Sequence, residues 1–270
     1  NEEAHLRYCL DSLSRLTYPK EKLEVLVVND HSTDATGSII EDFARRFPFI
    51  KSLDATHDVN GTLRGKANAI AQGVEQTTGE IILFTDADCV VQKGWVEETV
   101  KYYDAPSVGL VAGFTSLRSR TPFEAIQALD WFVLFSVAAG TTRLRFPVTA
   151  VGNNLSVRRE AYNSVGGYRS IPFSVTEDYA LFHAITRTAR YVARFPIDPA
   201  TLVFSLPCES WKELYHQKKR WFIGGAGMDW KRLSLFAVGY GFKALLVLTL
   251  VAGNMAAVLP AIALKTLLDV

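Results

Sequence analysis

Two short apolar runs, each followed at once by aspartate, constrain the fold of this chain most. Residues 24–29 (EVLVVN) lead into Asp30, and residues 80–85 (EIILFT) lead into Asp86 and Asp88. Short runs rich in β-branched residues and bounded by turn-forming residues are typical of buried parallel strands. In an open parallel sheet, ligands bind at the carboxyl ends of the strands. We therefore expect the three aspartates to line one crevice.

Helical patterns follow each of these strand candidates. Apolar residues recur at helical spacing in 33–47 and 66–76, and a third strand candidate covers 108–114. Strands that alternate with helices predict an α/β fold with a mostly parallel sheet covered by helices on both faces.

The composition excludes several other classes of protein. Hydrophobic residues make up 49% of the 270 residues, which excludes intrinsic disorder. Lys and Arg number 29 against 28 Asp and Glu, so no nucleic-acid partner is expected. The three widely spaced cysteines argue against a disulfide scaffold or a structural zinc site and favour a reducing, cytoplasmic compartment.

The alternation stops after residue 120. Residues 122–140 predict an apolar helix that is too short to span a membrane, so it either packs under the domain or lies in the membrane interface. The later expected elements are a strand at 150–158, a helix at 176–188, a strand at 201–206, and an aromatic and basic amphipathic helix at 210–230.

A charge-free stretch near the carboxyl end indicates a membrane segment. Residues 244–264 contain no charged side chain, and as a helix they would reach across one bilayer core. The excess of Lys and Arg just upstream places the amino-terminal side in the cytoplasm. We expect a catalytic domain at 1–206, an interfacial region at 207–235 and a transmembrane segment at 236–270, with both ends of the chain cut from a longer protein.

Asp30, Asp86 and Asp88 would repel one another in a shared crevice without a cation. Hard carboxylate oxygens select Mg²⁺ or Mn²⁺, which proteins often share with substrate phosphates. The alternative is that aspartates at strand ends only cap turns.

Two further clusters carry candidate chemistry. Glu177 and Asp178 begin a predicted helix with Thr176 as its N-cap, so they serve either as capping residues or as a source of a general base. Gln217, Arg220 and Trp221 share one helix face, whereas Lys218 and Lys219 are expected to point elsewhere. That helix is either a binding surface, a membrane anchor, or both.

Taken in order, these segments resemble the membrane-bound, inverting family 2 glycosyltransferases, such as cellulose, chitin and hyaluronan synthases. The resemblance rests on 29–34 (NDHSTD), 65–69 (GKANA), 86–88 (DAD), 152–154 (GNN), 176–178 (TED) and 217–221 (QKKRW). It implies a GT-A nucleotide-sugar fold whose usual first strand would precede Asn1, so the fragment is not expected to be active alone.

The resemblance also implies a role for each site residue. Asp30 would contact the uridine, Lys66 and Arg220 the nucleotide sugar, and Asp86 and Asp88 the diphosphate and the metal. Asp178 would be the general base. The implied acceptor-binding residues are Asn153, Asn154, Glu177, Gln217 and Trp221.

A single base implies inversion, so the expected product is a β-glycoside made from a nucleotide sugar, with UDP as the expected nucleotide, and a hydroxyl of a membrane-associated lipid or saccharide. Within the enzyme class, single transfer to a lipid competes with processive polysaccharide synthesis. A catalytically silent sugar-nucleotide sensor is the alternative from another class.

Overall fold

The computed structural model describes residues 1–58, 61, 63–225, 230, 231, 234 and 241. The chain divides into two units, Asn1–Gly224 and Gly225–Val270, and nearly all described residues belong to the first. The predicted transmembrane helix at 244–264 lies outside the described residues.

The helices alternate with the strands along most of the first unit. In the part of the chain that the structure describes they are α1 (Leu6–Ser14), α2 (Thr36–Arg46), α3 (Gly65–Glu75), α4 (Trp95–Val100), α5 (Pro122–Arg143), α6 (Arg159–Ser164), α7 (Gly167–Ser170), α8 (Glu177–Arg187) and α9 (Trp211–Gly225). The strands are β1 (Val25–Asn29), β2 (Ile50–Asp54), β3 (Ile81–Phe84), β4 (Val90–Val91), β5 (Val108–Ala112), β6 (Thr115–Leu117), β7 (Leu155–Arg158), β8 (Val192–Arg194) and β9 (Val203–Ser205).

The strand pairing corrects the expectation of a mostly parallel sheet. Strands β1 and β2 pair in parallel, as do β5 with β8 and β6 with β9. The pairs β3–β7, β5–β7 and β4–β9 are antiparallel. Strand β7 lies between β3 and β5 and runs antiparallel to both, so the four-stranded sheet with the order β3-β7-β5-β8 is mixed.

Apolar faces of the helices form the core around these strands. One cluster joins α1, α2 and α4 through residues such as Leu10, Ile40, Phe43 and Trp95. A second cluster packs α3, α6 and α8 against β5 and β7. This packing fixes the beginnings of α3 and α8 beside the end of β3, where the candidate site lies.

Helix α5 is longer than its sequence pattern suggested. Thr121 accepts a hydrogen bond from the Glu124 backbone N–H, Glu124 caps the Thr121 N–H in return, and Pro122 occupies the first turn. The helix runs 22 residues, and by length and composition it could cross a membrane. The expectation that it is too short was therefore wrong. Its buried residues, among them Trp131 and Phe135, show that it packs on the domain.

Candidate active site

Aspartates follow the ends of two strands, as the sequence predicts. Asp30 comes directly after β1 and is exposed, and Asp86 and Asp88 follow β3. Glu2 links the two places. Its backbone N–H donates to Oγ1 of Thr36 (2.7 Å), the first residue of α2, while burial and the Asp88 carboxylate raise the pKa of Glu2.

Lys66, in the first turn of α3, connects two acidic elements. Its Nζ lies 2.6 Å from Asp86 Oδ1 and 3.2 Å from Glu177 Oε1. Burial alone would lower the pKa of Lys66, but Asp86, Glu177 and Asp178 outweigh it and raise the pKa above its ordinary value. Lys66 therefore stays protonated and holds the end of β3 beside the start of α8.

Asp178, in the first turn of α8, is held by two backbone groups. Its Oδ2 accepts from the Gly152 N–H (2.6 Å) and its Oδ1 from the Tyr179 N–H (2.7 Å). Burial and the neighbouring Glu177 carboxylate raise the pKa of Asp178 to about 6, against the opposing effects of Lys66 and the two N–H groups. A carboxyl group with a pKa near neutral is suited to accept a proton.

The start of α8 is only in part a capping arrangement. Thr176 is the N-cap residue, but its side chain makes no capping hydrogen bond. Glu177 is 13% exposed and turns toward Lys66 and Asp86. This contact sets Glu177 beside the proposed donor carboxylates, while its binding of an acceptor stays a prediction.

Gly152 permits the approach of Asp178. A Cβ atom on Gly152 would lie 2.9 Å from Asp178 Cβ, which is closer than side chains tolerate. We expect Gly152→Ala to move the Asp178 carboxylate and to lower transfer by roughly 10- to 100-fold, because small misplacements of a reacting group are costly. Transfer and nucleotide affinity would be measured together. Gly140→Ala is the matched control, since its added Cβ would meet no atom within 4 Å; equal rates for the two variants would contradict the role of Gly152.

The carboxylates at the end of β3 fit a divalent cation that is shared with a substrate. Asp86 and Asp88 offer hard oxygen ligands, and their charge acts on Glu2 as well. Among the described residues, no group of three or more His, Cys, Asp or Glu side chains is arranged to hold a metal by itself. The residues therefore fit Mg²⁺ or Mn²⁺ with its remaining ligands taken from phosphate oxygens and water.

Asn153 and Asn154 are buried and engaged within the fold. Asn153 Oδ1 accepts from the Thr115 hydroxyl (2.9 Å), and Asn154 Oδ1 accepts from Trp95 Nε1 (3.0 Å). The Asn154 amide also donates to the carbonyls of Phe114 and Thr201. These bonds hold the turn that presents Gly152 to Asp178, and direct contact of either asparagine with an acceptor stays a prediction.

Helix α9 packs alongside α5 through its aromatic and basic residues. The rings of Trp221 and Trp131 lie 5.6 Å apart, and Lys218 Nζ sits 4.1 Å from the centroid of the Trp221 ring. Lys218 also lies 2.5 Å from Asp130 Oδ2. The expectation that Lys218 points away from Trp221 was therefore wrong, because residues three apart also share a helix face.

The other predicted residues of α9 differ in their surroundings. Gln217 Oε1 is buried and accepts no hydrogen bond from the described residues. Because buried polar atoms normally have a hydrogen-bond partner, this atom points to a functional partner. Arg220 is exposed. One turn further, a Cβ on Gly224 would lie 2.1 Å from Thr176 Oγ1, so α9 passes directly against the residue before Glu177 and Asp178.

Sequence reasoning missed two residues of this site. Glu2 lies in a charged opening segment that carried no assigned role, and only its electrostatic interaction with Asp88 and Asp86 reveals it. Gly152 was part of a recognised motif, but its close approach to Asp178 depends on a pairing across 26 residues. No local signal reports such a distance.

Comparison with known proteins places the chain in a family. The sequence model described as Glycosyl transferase family 2 matches residues 1–177, about two-thirds of the chain. The chain belongs to this family. The matched segment ends at Glu177, so Asp178 and helix α9 lie outside it.

Curated relatives are about 28% identical to this chain over the aligned residues. It is 28% identical over 240 residues to the probable glycosyltransferase YdaM of Bacillus subtilis, covering 87% of this chain and 56% of YdaM. It is also 28% identical over 240 residues to the beta-monoglucosyldiacylglycerol synthase of Synechocystis sp., covering 83% and 46%. With the poly-beta-1,6-N-acetyl-D-glucosamine synthase of Staphylococcus epidermidis it shares 27% over 233 residues, covering 83% and 52%. The chain thus spans about half the length of these relatives.

A solved structure shows the same fold. The mannosyltransferase PcManGT from Pyrobaculum calidifontis, in complex with GDP-Man and Mn²⁺, superposes with a TM-score of 0.64 at 22% identity. The match covers 97% of this chain and 74% of that protein. The chain therefore has the GT-A glycosyltransferase fold that the resemblance implied.

Proposed function

We propose that this chain is the catalytic part of an inverting glycosyltransferase that moves a sugar from a nucleotide sugar to a membrane-associated hydroxyl. The observation that carries the proposal is the ion-pair chain from Asp86 through Lys66 to Glu177, which brings a cation and the carboxylates at the end of β3 beside Asp178. Phosphate chemistry and a general base are the two parts that such a transfer needs.

The donor would bind at the end of β3. Asp30 contacts the nucleoside, expected to be uridine, while Lys66 and Arg220 carry positive charge for the diphosphate. A Mg²⁺ or Mn²⁺ ion bound by Asp86 and Asp88 would neutralise the charge that develops on the leaving diphosphate. The solved structure of PcManGT, which contains the nucleotide sugar GDP-Man, supports this donor class.

Asp178 would perform the proton transfer. Its carboxylate takes the proton from the acceptor hydroxyl as that oxygen forms a bond to the anomeric carbon. The bond from this carbon to the diphosphate breaks on the opposite face, and its electron pair leaves with the nucleoside diphosphate. One displacement inverts the anomeric centre, so an α-linked donor yields a β-glycoside.

The acceptor would be a lipid or a growing saccharide at the cytoplasmic membrane surface. The names of the relatives include a glycolipid synthase and a polysaccharide synthase, so both acceptor classes are represented. Gln217 and Trp221 on α9 are the proposed acceptor contacts. Membranes that contain the full-length protein, incubated with a panel of labelled nucleotide sugars, would identify the product by mass; release of nucleotide without any labelled product would contradict the proposal.

The pKa of Asp178 predicts the pH dependence of transfer. Since burial raises this pKa to about 6, the base is protonated and inactive below that pH. We expect the rate to rise about tenfold per pH unit up to roughly pH 6 and then to level off. Initial rates at saturating donor between pH 4.5 and 8.5 would measure this; an inflection near pH 4 would mean that Asp178 is not desolvated during turnover.

Lys66 should affect both donor binding and the base. In Lys66→Met, loss of a charge-assisted contact to the donor should raise the donor KM about tenfold. Lys66 also lowers the pKa of Asp178, so its removal should move the inflection of the pH profile to higher pH. Lys66→Arg is the matched control because it retains the charge. An unchanged pH profile in Lys66→Met would mean that Lys66 does not influence the pKa of Asp178.

A further inference from the structure

The exposed face of α5 carries no charge over four turns. Between residues 125 and 140, the exposed residues are Ala125, Ile126, Leu129, Phe132, Ser136 and Gly140. Ile126, Leu129 and Phe132 are each about 60% exposed. A helix that faces water normally carries charged residues on that side. This face is therefore suited to an apolar neighbour.

The opposite face of α5 is fixed to the protein. Trp131 and Phe135 are almost fully buried and form a cluster with Leu117, against which Phe114 and Phe195 pack. A helix crossing a bilayer here would have to take part of this core with it. The arrangement favours a helix that lies along a lipid surface, with one side on protein and one side on lipid.

Helix α9 extends the same surface. Trp211, Tyr215 and Phe222 are exposed and, at spacings of four and seven residues, lie on one side of the helix. The rings of Phe123 and Trp211 are 4.5 Å apart and join the two helices. We call the six exposed side chains the apolar face, which comprises Ile126, Leu129, Phe132, Trp211, Tyr215 and Phe222.

Cations on α9 accompany the apolar face. Lys212 and Lys219 are exposed beside the apolar face, and the one exposed acidic residue of this helix, Glu213, lies on the other side. Aromatic side chains with neighbouring Lys and Arg are the pattern of helices that lie in a membrane interface and attract anionic headgroups. In the sequence, α9 precedes the charge-free stretch 244–264.

We propose that α5 is a second lipid-contacting element and that the apolar face rests in the headgroup region of a bilayer. The occupant is lipid, not a second protein. Because α9 contacts Thr176 beside Asp178, this surface would bring a lipid-borne hydroxyl toward the candidate base, a consequence that rests on the proposed function.

Local probes on the full chain can test this contact. Cys9 and Cys89 are buried, so a Cys208→Ser parent leaves no accessible thiol among the described residues. Leu129→Cys and Phe132→Cys would carry a fluorescent label on α5. Tyr8→Cys, at a position 67% exposed on α1, which packs in the cluster with α2 and α4, is the matched control. The labelled proteins would be reconstituted in phosphatidylcholine–phosphatidylglycerol vesicles and quenched with doxyl-labelled lipid or with aqueous iodide.

We expect the labels at 129 and 132 to be quenched by doxyl lipid at least several-fold more than the label at 8, and to be shielded from iodide. Iodide quenching equal to that of the label at 8 would overturn the inference, and so would shielding from both quenchers, which would indicate a protein neighbour. Transfer activity of the same proteins is measured separately. If the labels are exposed to water and the protein still transfers sugar, the lipid contact is contradicted and the proposed function is not. If the labels contact lipid and no sugar is transferred, the proposed function is contradicted and the lipid contact is not.

Discussion

Asp178→Asn is expected to lower sugar transfer by about 10²–10⁴-fold while nucleotide affinity stays close to that of the unchanged protein. The loss follows from removal of the group that takes the proton of the acceptor hydroxyl, and this range is usual for a general base. Initial rates of labelled sugar transfer and nucleotide titrations would measure the two effects. If the variant keeps the normal rate of transfer, Asp178 is not the general base, and Glu177 and Asp178 serve only as helix-capping residues.

The stability of this variant needs its own measurement. Asp178 accepts one backbone N–H on each oxygen, and asparagine can accept on only one. The lost bond is worth about 1 kcal/mol, and removal of a desolvated carboxylate offsets it. We therefore expect a small change in Tm. Asp104→Asn, at an exposed aspartate that pairs with Arg194, is the matched control and should transfer at the normal rate.

Asp88→Ala is expected to abolish metal-dependent nucleotide binding. Asp86 alone would leave the cation with one protein carboxylate, so the cation that offsets the charge of the diphosphate would bind weakly. Calorimetric titration with a nucleoside diphosphate and Mn²⁺ should show at least a tenfold loss of affinity, and excess chelator should have the same effect on the unchanged protein.

The controls for this prediction use another carboxylate of the same fold. Asp104→Ala removes an exposed charge on the loop before β5 and should leave nucleotide binding unchanged. If nucleotide affinity stays unchanged in excess chelator or in Asp88→Ala, nucleotide binding does not depend on a metal at the proposed donor site.

Local sequence patterns predicted most elements but not their long-range pairing. The apolar runs at 24–29 and 80–85 became β1 and β3, and the helical spacing at 66–76 became α3. Strand direction depends on partners far along the chain. Strand β7 pairs antiparallel with both β3 and β5, which no pattern within 150–158 could reveal.

The site was predictable where the chemistry lies in short motifs. The resemblance assigned Asp86, Lys66 and Glu177 to one active site, and two ion pairs join them. Contacts between distant segments were not predictable. The closeness of Glu2 to Asp88, and the stacking of Lys218 on a Trp221 ring held by α5, depend on how whole helices pack.

The anomeric configuration of the product tests the central claim most directly. Full-length protein in membranes would be given an α-linked nucleotide sugar, and the new glycosidic bond would be assigned by the proton coupling constant of its anomeric carbon. The account predicts a β-glycoside whose formation requires Asp178 and Mg²⁺ or Mn²⁺. An α-linked product, or a β-linked product formed at the normal rate by Asp178→Asn, would contradict it.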